Sequence, residues 1–307
     1  MSTIAEAIAA DKTTIDTPKP GVDRFVLLCV AAATLALGSM IAWVGSARLL
    51  TLFAIGGGLG VALYHAAFGF TAGWRNAIVS RRSRGLRAQL LLLAVCSLLF
   101  IPLIATTDAR GAIAPVGGFV VLGSFLFGLG MQLGGGCGSG TLFTVGAGNR
   151  KMVITLVAFI VGSVIGTIHL PWWLNSPSLG TVNLAASLDP LGAVMLQVAL
   201  LAGLAYALVA VERERYGRVE PLLRTGQSLK LNRLITGDWP ILWGVIALSV
   251  LSLLTLIIAG SPWGITFAFA LWGAKALAAI GVDMSQFAYW NTPYFAAQLE
   301  QSVLLNI

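Results

Sequence analysis

A lone thiol set in a run of glycines is where this sequence shows most chemical capacity. Residues 127–141 read Phe-Gly-Leu-Gly-Met-Gln-Leu-Gly-Gly-Gly-Cys-Gly-Ser-Gly-Thr. Cys137 is flanked by Gly136 and Gly138, with the hydroxyl of Ser139 two residues on and that of Thr141 four residues on. Glycine destabilises a helix interior, so the run predicts a break. Inside lipid, the backbone groups freed by a break are tolerated only where the segment is buried in protein or lines a polar cavity. A cysteine at such a place reads as a site rather than as packing. Met131 and Gln132 lie just ahead of the break and are candidates to line the same pathway.

The elements that must carry this thiol are membrane helices. Hydrophobic residues make up 57% of the 307, charged residues 10%, and the mean hydropathy is +0.88. Soluble domains carry about 25% charged residues. A span needs about 20 apolar residues, which leaves room for about seven or eight. Apolar stretches run over 25–46, 49–72, 88–105, 115–133, 152–170, 190–211, 239–259 and 262–282, and each reads as a transmembrane helix. The expected fold is all-α: a polytopic membrane protein with broken or re-entrant helices and internal repeats. Residues 1–23 read as a disordered cytoplasmic tail, 24–290 as the transmembrane domain and 291–307 as a polar C-terminal segment. No cleavable signal peptide is expected, because no short apolar core precedes the first long span.

The net charge of +7 points to topology, not to nucleic acid. One basic cluster holds Arg75, Arg81, Arg82, Arg84 and Arg87. Another holds Arg213, Arg215, Arg218, Arg224, Lys230 and Arg233, partly offset by Glu212, Glu214 and Glu220. Both should face the cytoplasm. Counting spans from them places the N-terminus in the cytoplasm and His169 to Trp173 on the far side. Asn149-Arg150-Lys151 then falls on the cytoplasmic side, so the glycine run must dip and return.

A glycine-rich or broken apolar segment followed by a polar or basic residue recurs. Gly56-Gly57-Gly58-Leu59-Gly60 leads to His65, Gly69 and Arg75, and Trp263-Gly264-Ile265-Thr266 leads to Lys275. Broken segments in corresponding places point to a transporter's binding site. Lys275, an intramembrane cation, is a functional candidate that could equally snorkel to the interface. His65 suits a vestibule or a helix–helix hydrogen bond. Cys29 and Cys96 read as small apolar filler, and His169 as interfacial.

These blocks resemble the YeeE/YedE family of bacterial inner-membrane proteins, whose characterised members import thiosulfate. The resemblance rests on residues 128–143, on Gly166-Thr167-Ile168-His169-Leu170-Pro171-Trp172-Trp173, on Pro262 to Thr266 and on Ala270 to Lys275. It implies a helical fold with pseudo-symmetric halves and a narrow waist, in which the ion passes neutral thiols that donate S–H hydrogen bonds. The chain departs from the family in two places. Some members have F-C-F-T where this chain reads Phe68-Gly69-Phe70-Thr71. The family also continues into further spans with a G-C-N-x-G-A motif that does not occur before Ile307, so the resemblance implies a transporter domain incomplete at its C-terminal side.

The residue types fit that substrate. Thiosulfate is a small dianion with a soft sulfur, and a cationic pore would hold it too tightly in a low dielectric. Helix N-termini and successive glycine N–H groups offer partial positive charge without a full one. A thiol adds a weak, polarisable donor and stays protonated in apolar surroundings. The expected function is an inner-membrane permease for thiosulfate or a related sulfur anion, not an enzyme, with no metal and no cofactor. The expected partners are the inorganic anion, the bilayer and a cytoplasmic sulfur-carrier protein. Two alternatives are a membrane thiol relay accepting sulfur covalently on Cys137 and a non-transporting truncated scaffold. No ATP-binding motif occurs.

Overall fold

The structure, a computed structural model, describes residues 24–111, 113–223 and 239–303. The N-terminal tail and the basic residues Arg224, Lys230 and Arg233 lie outside the described residues.

The chain is an all-α polytopic membrane protein. Its helices are α1 (Arg24–Val44), α2 (Ala47–His65), α3 (Phe70–Val79), α4 (Arg84–Thr106), α5 (Gly118–Gly134), α6 (Gly138–Gly146), α7 (Arg150–Leu174), α8 (Leu184–Tyr216), α9 (Ile241–Ala259), α10 (Ile265–Ala279) and α11 (Pro293–Glu300). Seven spans among the described residues are long and apolar enough to cross a membrane, two of them the broken pairs α2–α3 and α5–α6. Their lipid-facing sides keep large apolar residues exposed, as Phe25, Leu133, Val121 and Ile154 show.

The ends of the bundle sort into two sets. At one end, Glu212 of α8 is buried and accepts from the backbone N–H and the hydroxyl of Ser83 and from the N–H of Glu220 (3.1 Å). Arg87 pairs with Glu212 (3.7 Å) and donates to the Ser83 hydroxyl (2.8 Å). The Tyr216 hydroxyl donates to Ser80 O (2.6 Å), with the Arg82 guanidinium 4.7 Å from its ring centre. At the other end, β1 (Pro115–Gly117) pairs antiparallel with β2 (Ser178–Thr181). There too Arg48 donates to Ile258 O and Ala259 O, and Arg110 N donates to Gly260 O. These contacts join the segments that span counting places on the same side.

Two apolar cores stand beside the two broken pairs. The first joins Leu59, Ala62, Leu63, Ala66 and Phe68 to Ala88 of α4 and to Val245 and Leu248 of α9. The second joins Val164 of α7 to Ala270, Leu271 and Ala274 of α10 and to Met284 and Trp290, with Phe295 and Leu299 packed on it. The Trp290 indole N–H donates to the Thr167 hydroxyl (3.0 Å), so this fully buried ring has its polar atom satisfied.

Two expectations change. The glycines at 56–60 and at 128–134 do not break their helices: α2 and α5 run through them. Glycine is common in membrane helices because no water competes for their backbone bonds and a missing Cβ permits close approach. Gly58 uses that freedom against Leu251. The stretch 262–282 is also not a full span, since α10 covers only 15 residues. Phe269 meets Phe159 (5.1 Å between ring centres), while a Cβ on Gly273 would fall against Ile160 and Val164. Contacts therefore advance together along both helices, and α10 runs parallel to α7. Gly273 and Ala274 make the close packing expected of small residues, whereas Ala278 is exposed.

Candidate functional site

The break containing Cys137 is built from backbone conformation. Gly135 ends α5 at φ +78°, a left-handed position that glycine takes without steric cost. Cys137 is the N-cap of α6, extended at φ −82°, ψ −177°. Its carbonyl accepts from Thr141 N (2.8 Å), closing the first turn. Its side chain caps no N–H. The first N–H groups of a helix have no intrahelical acceptor, so the start of α6 presents donors to whatever occupies the break. The Cys137 Sγ lies 3.6 Å from Ser139 Oγ, and Cys137 is half-buried.

Close packing fixes this geometry. A Cβ on Gly138 would fall 3.3 Å from Ile265 and Phe269 of α10, and one on Gly136 would fall 3.0 Å from Met152 and from Thr141 Oγ1. Thr155 donates to Gly134 O (3.2 Å). Thr141 is fully buried, and its hydroxyl has no hydrogen-bond partner among the described residues. Met131, Gly134 and Gly136 line a cleft of about 470 Å³ between α5 and α7.

The other broken pair repeats the device. α2 ends in a Schellman motif: Ala67 N donates to Tyr64 O and Phe68 N to Leu63 O (both 3.1 Å), with Ala67 left-handed at φ +45°. Gly69 is then the N-cap of α3, as Cys137 is of α6. Gln89, the sixth residue of α4, donates to Gly69 O (3.1 Å), and a Cβ on Gly244, the fourth residue of α9, would meet Ala66. At about 1.5 Å rise per residue, this break sits roughly 5 to 8 Å inside the ends of α4 and α9.

Gln132 joins the two devices. Its amide, in the last turn of α5, donates to Thr71 O in the first turn of α3 (3.5 Å). Beside it lies an open cleft of about 710 Å³, lined by Phe70, Trp74, Gly128, Met131 and Gln132. Cys137, Gly136, Gly138, Ser139 and Thr141 thus lie together at one break, and Gln132 ties it to Thr71, two residues after Gly69.

Two other candidates have partners elsewhere. Lys275 Nζ donates to Leu299 O (2.7 Å) and Gln301 O (2.5 Å), capping the end of α11. His65 stacks on Trp239 (5.5 Å between ring centres), and its carbonyl accepts from Trp239 N (2.8 Å), which fastens α2 to the segment before α9.

Sequence reasoning passed over Gln89 and Glu212. Gln89 is a polar residue within an apolar span, and that anomaly was available as a signal. Glu212 looked like a surface charge offset, because only folding brings Ser83 and Glu220 to it.

The sequence profile of the Sulphur transport family matches residues 65–307, a stretch that holds both breaks and α10. The chain belongs to the sulphur-transport (YeeE/YedE) family. A 110-residue stretch is 32% identical to the "Thiosulfate transporter TsuA" of Escherichia coli (strain K12), covering 35% of this chain and 31% of that protein. The aligned part thus spans about a third of the length of that relative.

Proposed function

We propose that this chain is a bacterial inner-membrane permease for thiosulfate or a closely related sulfur anion. In this reading the N-terminus is cytoplasmic, and the Cys137 break is the place where the anion is held. One observation carries it: a thiol with no capping duty stands at the N-cap of a helix inside the membrane, in a chain of the sulphur-transport family. The similarity to a thiosulfate transporter supports the substrate. Neutral donors suit this task. Cys137, Ser139 and the first N–H groups of α6 attract a dianion without the trap a fixed cation would set in a low dielectric. The sulfur's neighbour is a hydroxyl, not a base, which favours a passing hydrogen bond over covalent capture.

The basic end, with Arg82, Arg84 and Arg87 around Glu212 and Glu220, faces the cytoplasm by the positive-inside rule. A cytoplasmic sulfur-carrier protein would receive the anion there. Lys275 and His65 serve as structural supports.

Uptake of ³⁵S-thiosulfate into proteoliposomes holding the full chain tests the reading. Saturable uptake competed by unlabelled thiosulfate is expected, and absence of uptake by well-folded protein overturns it.

A further inference from the structure

The first turns of α3 carry two hydrogen-bond donors that the site described so far does not use. The Thr71 hydroxyl and the Trp74 indole nitrogen are both buried, and neither has a hydrogen-bond partner among the described residues. Thr71 is 8% exposed. Buried polar atoms without partners are uncommon and costly, so two on one short helix call for an explanation. Three residues apart on a helix, they share a face.

Their surroundings set the chemistry. Gln89 Nε2 donates to Gly69 O (3.1 Å) and Phe70 O (3.4 Å), holding the start of α3 in place. Gln132, five residues before Cys137, donates to Thr71 O. The two donors thus stand at the junction of the two breaks, at the N-terminal end of a ten-residue helix whose N-cap gives no side-chain bond. No thiol is present here, because position 69 is glycine.

We propose that the Thr71 hydroxyl and the Trp74 indole N–H form a thiol-free donor pair that holds the oxygen atoms of a small sulfur oxyanion beside the Cys137 break. This rests on the permease reading. The division of labour follows from atom type: a thiol suits the soft terminal sulfur, and O–H and N–H donors suit the hard oxygens. Both groups are neutral, so the ion is held and released without a fixed charge. Trp74 also presents an apolar ring to the 710 Å³ cleft.

The test uses the full chain in proteoliposomes with thiosulfate as the probe, and follows each variant's thermal unfolding. Thr71→Val keeps the shape and removes the donor, Thr71→Ser keeps the donor, and Trp74→Phe keeps a ring without the N–H. Thr71→Val and Trp74→Phe should each raise the KM about tenfold, the loss typical of one hydrogen bond to a charged group, while Thr71→Ser stays near wild type. Unchanged KM in Thr71→Val and Trp74→Phe, with wild-type uptake intact, overturns the donor pair alone and assigns the two atoms to ordered water. If Thr71→Val does not fold, Trp74→Phe decides by the same criterion. Absence of uptake by folded wild-type protein removes the permease reading, and the donor pair with it.

Discussion

Gly69 and Cys137 occupy the same position in two copies of one device: each is the extended N-cap of a short helix that follows a break in a long one. The device supplies backbone donors at both places, but a thiol at only one. The copies are tied by the Gln132 amide on Thr71 O. A path that uses both breaks therefore meets soft-sulfur chemistry at one and oxygen and nitrogen donors at the other.

The Glu212 cluster fixes the basic end. Glu212→Ala leaves Arg87 and Ser83 without their buried acceptor. Removing one partner of a buried pair costs about 3–5 kcal/mol. Thermal unfolding in detergent should show a large drop for Glu212→Ala and a smaller one for Glu212→Gln, which keeps an acceptor. Equal stability of all three proteins would mean the cluster is solvated.

At Gly273, α10 lies close against α7. A Cβ there would lie 2.3 Å from Val164 Cγ2 and 3.3 Å from Ile160 O. Gly273→Ala should destabilise the protein by roughly 1–3 kcal/mol through overpacking, and Val164→Ala should partly restore it. Gly128 has open space beside it, so Gly128→Ala should be mild by comparison. The reverse order would show that α10 does not run along α7 as described.

The Lys275 cap makes a different forecast. Lys275→Met removes two hydrogen bonds to the end of α11. Each is worth about 1 kcal/mol or more when the donor is charged. Limited proteolysis should cut the segment after Ala279 faster, with the KM for thiosulfate little changed. A KM rise with no change in proteolysis would place Lys275 on the ion's path.

The two sets of end contacts show which segments share a side, and the positive-inside rule predicts which side is cytoplasmic. In intact cells an impermeant thiol reagent should label a cysteine introduced at Ser176 and spare one at Ser80, whose carbonyl binds Tyr216 at the basic end. The opposite pattern inverts the orientation.

Most of the fold was legible because lipid imposes a simple code: span lengths, basic loops and belts of tryptophan follow from the bilayer alone. The break at Cys137 was legible to within a few residues, since three successive glycines, one of them left-handed, and a lone thiol stand out in an apolar run. The break at Ala66–Gly69 was harder to place, because its left-handed residue is Ala67, not a glycine. Composition pointed instead to Gly56–Gly60, which stay helical. The short reach of α10 was hidden because hydropathy reports burial from water, and a half-span packed on α7 is as apolar as a full one. Glu212, Gln89, Thr71 and Trp74 owe their roles to long-range partners or to missing ones, and no local pattern encodes either.

In the permease reading, Cys137 is a neutral donor to a transported sulfur anion. The most direct measurement is initial-rate thiosulfate uptake by the wild-type chain, Cys137→Ser and Cys137→Ala at matched protein level in proteoliposomes. Losing a hydrogen bond to a charged group should lower the apparent affinity of Cys137→Ala by about ten- to a hundredfold, with Cys137→Ser in between because a hydroxyl still donates. Wild-type uptake by Cys137→Ala would contradict the account, and so would a Cys137→Ser variant as inactive as Cys137→Ala, since that result demands the thiol's own reactivity.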